Sequence, residues 1–349
     1  MMKKMFKTSG KLITALIIIA IGVSIAWGMQ TGAKQLPLRQ YFSRNYTNAI
    51  WDWSNPTNKT DKNLDDMANY MYLHQLNTVY VDVSGYLAIA ANPNAAQKAT
   101  AQKQYEASLD RYISALKKEH VKVYAAAGDV SWGSAAERHI PLSIVDFAAS
   151  YNRTHPQSKF AGVEFDIESY NQTGFATASN TTKALALSDF LDTVDAVSTK
   201  VTNYDHKGQN LALGFTIPYW YDDENGNIPQ VTWQQKTGPT LYHILDRLNS
   251  VPKSNVVVMS YRNASAGNDG VIAHSRTEID YAQAKAPNVK VIIGQEVNDV
   301  EPAKTTYYGE SQADLSTQVK AFEDELQSSG VLGGVAINDY AGMLAMQDE

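Results

Sequence analysis

Short β-branched or alanine-rich runs recur eight times along this chain, with amphipathic stretches between them, and no other feature narrows the available folds as far. The runs occupy 49–53, 78–84, 121–128, 160–168, 211–218, 255–261, 289–296 and 333–339. Helical stretches fall at 63–76, 99–119, 142–151, 182–201, 241–248, 277–286 and 312–329. In the fourth of these, Leu185, Phe190, Leu191, Val194 and Val197 recur at helical spacing. Strands alternating with helices predict a parallel sheet with crossover connections. Eight strands and seven helices predict an α/β chain folded as a closed (β/α)8 TIM barrel, with the eighth helix short or missing because the chain stops soon after the last run. No Gly-x-Gly-x-x-Gly follows the first run, which disfavours a doubly wound open sheet.

The N-terminus reads differently. Lys3, Lys4, Lys7 and Lys11 precede an uncharged apolar run from Leu12 to Met29 that is long enough to cross a bilayer. The positive-inside rule puts those lysines in the cytoplasm and the rest of the chain outside it. Ser24-Ile25-Ala26 offers a small-x-small cleavage pattern, so residues 1–30 are read as a signal peptide or signal anchor, 31–44 as a spacer and 45–349 as the barrel. The expected location is extracellular, secreted or anchored to the outer face of the cytoplasmic membrane, with the membrane a partner if the N-terminal helix is uncleaved. A net charge of −6 with no basic groove gives no reason to expect nucleic acid as a partner. The absence of cysteine excludes disulfides, thiolate metal sites and a cysteine nucleophile.

Chemistry concentrates in the fourth run. Side chains two apart on a strand share a face, so Gly162, Glu164, Asp166 and Glu168 line one side and Val163, Phe165 and Ile167 the other. The apolar side belongs against the helices, which aims the acids into the barrel at the strand end where such folds build active sites. Carboxylates crowded there do not all ionise cheaply, so at least one pKa is expected to rise. A buried ionic cluster with Lys or Arg is the competing explanation.

These residues resemble the Asp-x-x-Asp-x-Asp-x-Glu signature of glycoside hydrolase family 18. Its proton donor aligns with Glu168, the two preceding acids with Asp166 and Glu164, and the first with Ala161. Met259-Ser260-Tyr261 is similar to the family's Met-x-Tyr-Asp, with Arg262 in place of the Asp. Ala126-Ala127-Gly128 stands where the family has Ser-x-Gly-Gly, and Ala336-Ile337-Asn338-Asp339 lacks its eighth-strand Trp. The resemblance implies that Glu168 protonates a glycosidic oxygen, that Asp166 orients an N-acetyl group whose carbonyl attacks the anomeric carbon, and that Tyr261 hydrogen-bonds that carbonyl. A glycan containing N-acetylhexosamine is the implied substrate.

A second mechanism pairs Glu168 with Glu296 as acid/base and nucleophile of a retaining glycosidase, carboxyls about 5 Å apart. Trp51, Trp53, Trp132, Tyr219, Trp220, Tyr221 and Tyr340, mixed with Asp52, Asp82, Asp129, Asp222 and Asp339, fall near strand ends and suit a sugar cleft. Of these, Trp53, Trp220, Asp82 and Asp339 are candidate substrate contacts, together with Glu164, Arg262 and Glu296. The seven histidines fall mostly in helices or connections without ligand spacing. Asp82, Glu164, Asp166 and Glu168 have the oxygen chemistry for Mg2+ or Ca2+, but no metal or cofactor is expected. A barrel that binds glycan without cleaving it, and a cell-surface scaffold, are the readings from other classes.

Overall fold

The computed structural model describes residues 42, 43, 45–222, 226 and 228–346. The proposed N-terminal membrane segment lies outside the described residues. Among the described residues, no helix is long and apolar enough to cross a membrane.

The strands are β1 (Thr47–Asp52), β2 (Thr78–Asp82), β3 (Lys122–Ala127), β4 (Gly162–Asp166), β5 (Ala212–Pro218), β6 (Val231–Trp233), β7 (Lys236–Gly238), β8 (Ser254–Met259), β9 (Lys290–Glu296) and β10 (Leu332–Asn338). All but β6 and β7 pair in parallel and close into a barrel in the order β1-β2-β3-β4-β5-β8-β9-β10. The eight runs read from the sequence are therefore the eight barrel strands. The remaining two strands form an antiparallel hairpin inserted after β5. Its turn residues Gln234 and Gln235 have φ of 46° and 66°, a conformation normally signalled by Asn-Gly, so nothing in the sequence announced it.

Helices α1 (Asp61–Leu73), α2 (Gly85–Ala90), α3 (Ala95–Lys117), α4 (His139–Thr154), α5 (Asn180–Asp205), α6 (Thr240–Leu248), α7 (Arg276–Lys285), α8 (Gln312–Leu326) and α9 (Tyr340–Ala345) surround the strands. The helix that follows the last barrel strand, α9, has six residues. α2 had no signal, because six residues are too few to display an amphipathic period.

Strand alternation sorts the core into two shells. Val163, Phe165 and Ile167 of the β4 segment join Phe215, Phe190 and Val194 in the layer between strands and helices. Ala49, Trp51, Tyr80, Ala126, Val257, Ile292 and Ala336 form a separate cluster inside the barrel, with Tyr124 packed against it. Register carries the inward face around the ring: Glu164 lies beside Ala126 and Gly214, and Gly214 beside Asn255. Glu164 and Asp166 consequently point inward, and the chain beyond Asp166 emerges at the barrel mouth.

Candidate active site

Glu164 is the deepest acid, 1% exposed and inside the barrel. Thr216 Oγ1 donates to its Oε1 at 3.1 Å, and Oε2 has no hydrogen-bond partner among the described residues. The carboxyl fits only because residue 214 is glycine: a Cβ there would stand 1.7 Å from Glu164 Oε2 and 2.7 Å from Asn255 Oδ1. Burial raises the Glu164 pKa well above the ordinary carboxyl range, the Thr216 bond opposes the shift, and the Asp166 charge adds to it. The folded chain therefore holds this proton more tightly than the unfolded chain does. Stability is then fully present below the ordinary pKa of 4.5 and drains away as pH rises towards the raised folded value. The slope is at most about 1.4 kcal/mol per pH unit for one such group. Glu164→Gln keeps the shape and removes this proton, so its urea-denaturation stability is expected to fall less steeply between about pH 5 and 8 than that of the parent. Equal slopes would refute a protonated Glu164.

One step nearer the mouth, burial and then the Glu168 charge push the Asp166 carboxyl up to about 7. Its Oδ1 is enclosed and has no hydrogen-bond partner among the described residues. Glu168 caps the turn at Ser169–Asn171 that follows β4, where Tyr170 Oη donates to its Oε1 at 2.5 Å and Asn171 Nδ2 to its Oε2 at 2.9 Å. Asp166 and Glu168 line a cavity of about 250 Å3 with Trp53, Gly128, Asp129 and Val130. Gly128 lets the loop after β3 approach closely, since a Cβ there would stand 1.9 Å from the Asp166 carbonyl oxygen. The Tyr261 phenol is raised far beyond its ordinary value by burial and by the charges of Asp166, Glu296 and Glu168, which keeps it a hydrogen-bond donor.

The competing explanation, acids locked to basic neighbours, finds no support here. None of the ion pairs among the described residues includes Glu164, Asp166, Glu168 or Glu296. No cluster of three or more His, Cys, Asp or Glu suited to a metal ion occurs among the described residues.

The other candidates divide into those at the cavity and those engaged elsewhere. Trp53 lines the cavity, donates from Nε1 to Asn338 Oδ1 at 2.8 Å and stacks on Trp51 at 6.3 Å. Trp220 packs edge-on against Tyr170, the residue that grips Glu168, at 4.7 Å. Glu296 is 5% exposed. Its Oε1 accepts from Val297 N, Asn298 N and Asn298 Nδ2, and its Oε2 from Asn338 Nδ2. Oε1 thus holds the loop after β9, and Oε2 ties β9 to the end of β10. Asp82 accepts from the backbone and hydroxyl of Ser84 in its own turn. Asp339 caps α9 through the Gly342 N–H at 2.9 Å. Arg262 is turned to Asp269 at 2.8 Å, in a cluster that Lys304 and His274 complete. Tyr170, Asn171 and Asn338 were not singled out from the sequence, because the first two follow the strand in an irregular turn and the third was read only as a motif departure.

No family model matches the chain, and no curated protein matches it. Among solved structures, the fold is similar to a GH18 chitinase from Pseudoalteromonas aurantia, at 14% identity and a TM-score of 0.49, over 84% of this chain and 93% of that one. It is also similar to a GH18 chitinase from Cycas revoluta in complex with (GlcNAc)3, at 10% identity and a TM-score of 0.48, over 85% and 96%. The catalytic domain of β-amylase from Paenibacillus polymyxa gives 10% identity and a TM-score of 0.48, over 86% and 94%. These are likenesses of barrel architecture.

Proposed function

We propose that this protein is an extracellular glycoside hydrolase acting on a polysaccharide that contains N-acetylhexosamine, with Glu168 as general acid. The observation that carries the reading is the open cavity that Glu168 lines together with Asp166, whose carboxyl burial and the Glu168 charge push up to about 7. In this reading Glu168 gives its proton to the glycosidic oxygen as the bond to the anomeric carbon breaks. The substrate's acetamido carbonyl oxygen forms the new bond to that carbon from the opposite face. The Asp166 carboxyl accepts the acetamido N–H, and the neutral Tyr261 phenol donates to the carbonyl oxygen. Water then opens the cyclic intermediate and returns a proton to Glu168, so the configuration is retained. This substrate-assisted route needs no second carboxylate nucleophile.

The route makes the acetamido group part of the catalyst. The protein is expected to release nitrophenol from a nitrophenyl di-N-acetylchitobioside and not from the matched glucosamine disaccharide, with the β anomer appearing first by NMR. Equal turnover of the two, or an inverted first product, would overturn the assignment.

A further inference from the structure

A groove runs between α1 and α9. Asn63, Asp66, Asn69, Tyr70 and Leu73 line it. Their spacing puts them on one face of α1, and at 1.5 Å per residue the row runs about 15 Å. Tyr340 and Leu344 supply the facing wall, and the enclosed volume is about 630 Å3, against about 250 Å3 for the acid-lined cavity. The groove reaches Ser54, and the residue before it, Trp53, lines the acid-lined cavity. Consecutive residues of one loop therefore border both spaces.

The lining chemistry is specific. Its charges are already neutralised: Lys59 pairs with Asp52 at 3.0 Å, and Asp66 with Lys62 at 2.6 Å. The groove thus offers no free charge to an ionic ligand. The remaining groups are the amides of Asn58, Asn63 and Asn69 and the hydroxyls of Ser54, Tyr70 and Tyr340 beside apolar surface, with Leu344 54% exposed. Asn69 is exposed on the α1 face. An amide both donates and accepts, which matches a ring of hydroxyls, and the exposed Leu344 suits the C–H face of a pyranose.

We infer that this groove is an outer subsite that holds a neutral sugar strand whose other end lies over Asp166 and Glu168. The inference rests on the glycoside hydrolase reading and extends it to a polymeric, uncharged substrate. The test is calorimetric titration of the full chain carrying Glu168→Gln, with and without Asn69→Trp, using β-1,4-linked N-acetylglucosamine dimer and hexamer. Without the tryptophan, the hexamer is expected to bind about tenfold more tightly than the dimer. Asn69→Trp fills the groove and is expected to bring that ratio to about one. A ratio that survives Asn69→Trp, or a hexamer no tighter than the dimer, overturns the subsite and leaves the catalytic reading standing. If neither oligomer binds, the sugar reading fails at both places. If Asn69→Trp instead changes the sedimenting mass, the groove joins two copies of the chain and the subsite is overturned.

Discussion

Glu168→Gln is expected to lower kcat on an oligosaccharide by about a thousandfold, within the range that a positioned general acid contributes. The substitution keeps the length and one carbonyl oxygen, so Tyr170 still has an acceptor. Asn171 can turn its own amide to meet the new NH2. The fold and the stability should therefore hold to within about 0.5 kcal/mol. What disappears is the proton that stabilises the leaving oxygen. A leaving group that departs without help does not need that proton, so nitrophenyl substrates should lose far less activity than natural linkages. This contrast separates a proton donor from a residue that merely shapes the cavity, whose removal would depress both substrate types alike. An unchanged kcat on an oligosaccharide would remove Glu168 from the chemistry.

The parts of this site that were legible in the sequence follow from period. Two-residue alternation is a property of the strand itself, so the acids at 164 and 166 and the apolar residues at 163 and 165 had to divide between the two faces, and 167 and 168 continue the pattern just past the strand end. The outer core contains Val163, Phe165 and Ile167. The closed ring was legible for a similar reason, since eight strand runs and seven helices leave few alternatives. Side-chain destinations beyond strand ends were not legible. Arg262 follows Tyr261 by one residue, at the site predicted for a substrate contact, yet it turns to Asp269, because loop geometry and not strand alternation decides. Tyr170 and Asn171 belong to the same class: their grip on Glu168 comes from a short irregular turn. Glu296 sits at the expected strand end, but what occupies its oxygens is a set of contacts from residues 297, 298 and 338 that no spacing rule reveals.

Gly214→Ala is expected to destabilise the barrel by about 3 kcal/mol, the sum of a steric and a polar cost. The added methyl would stand 1.7 Å from Glu164 Oε2, so the carboxyl must move. Its surroundings leave little room, because Tyr80 and Tyr124 lie near enough for the Glu164 charge to raise their pKa values and both belong to the packed interior. Overpacking of this kind costs about 1–3 kcal/mol. Shifting the carboxyl also breaks its bond from Thr216, and a buried polar group left unsatisfied costs a further 1–3 kcal/mol or so. The two residues should be strongly coupled: Glu164→Ala removes the atoms that clash, so the double variant is expected to be more stable than the sum of the single losses implies. Urea denaturation of the four proteins measures that coupling. If Gly214→Ala proves as stable as the parent, Glu164 does not fill the barrel interior. Asp166, which shares its face of β4, and Glu168, two residues beyond the strand, would then lose the placement on which their proposed chemistry depends.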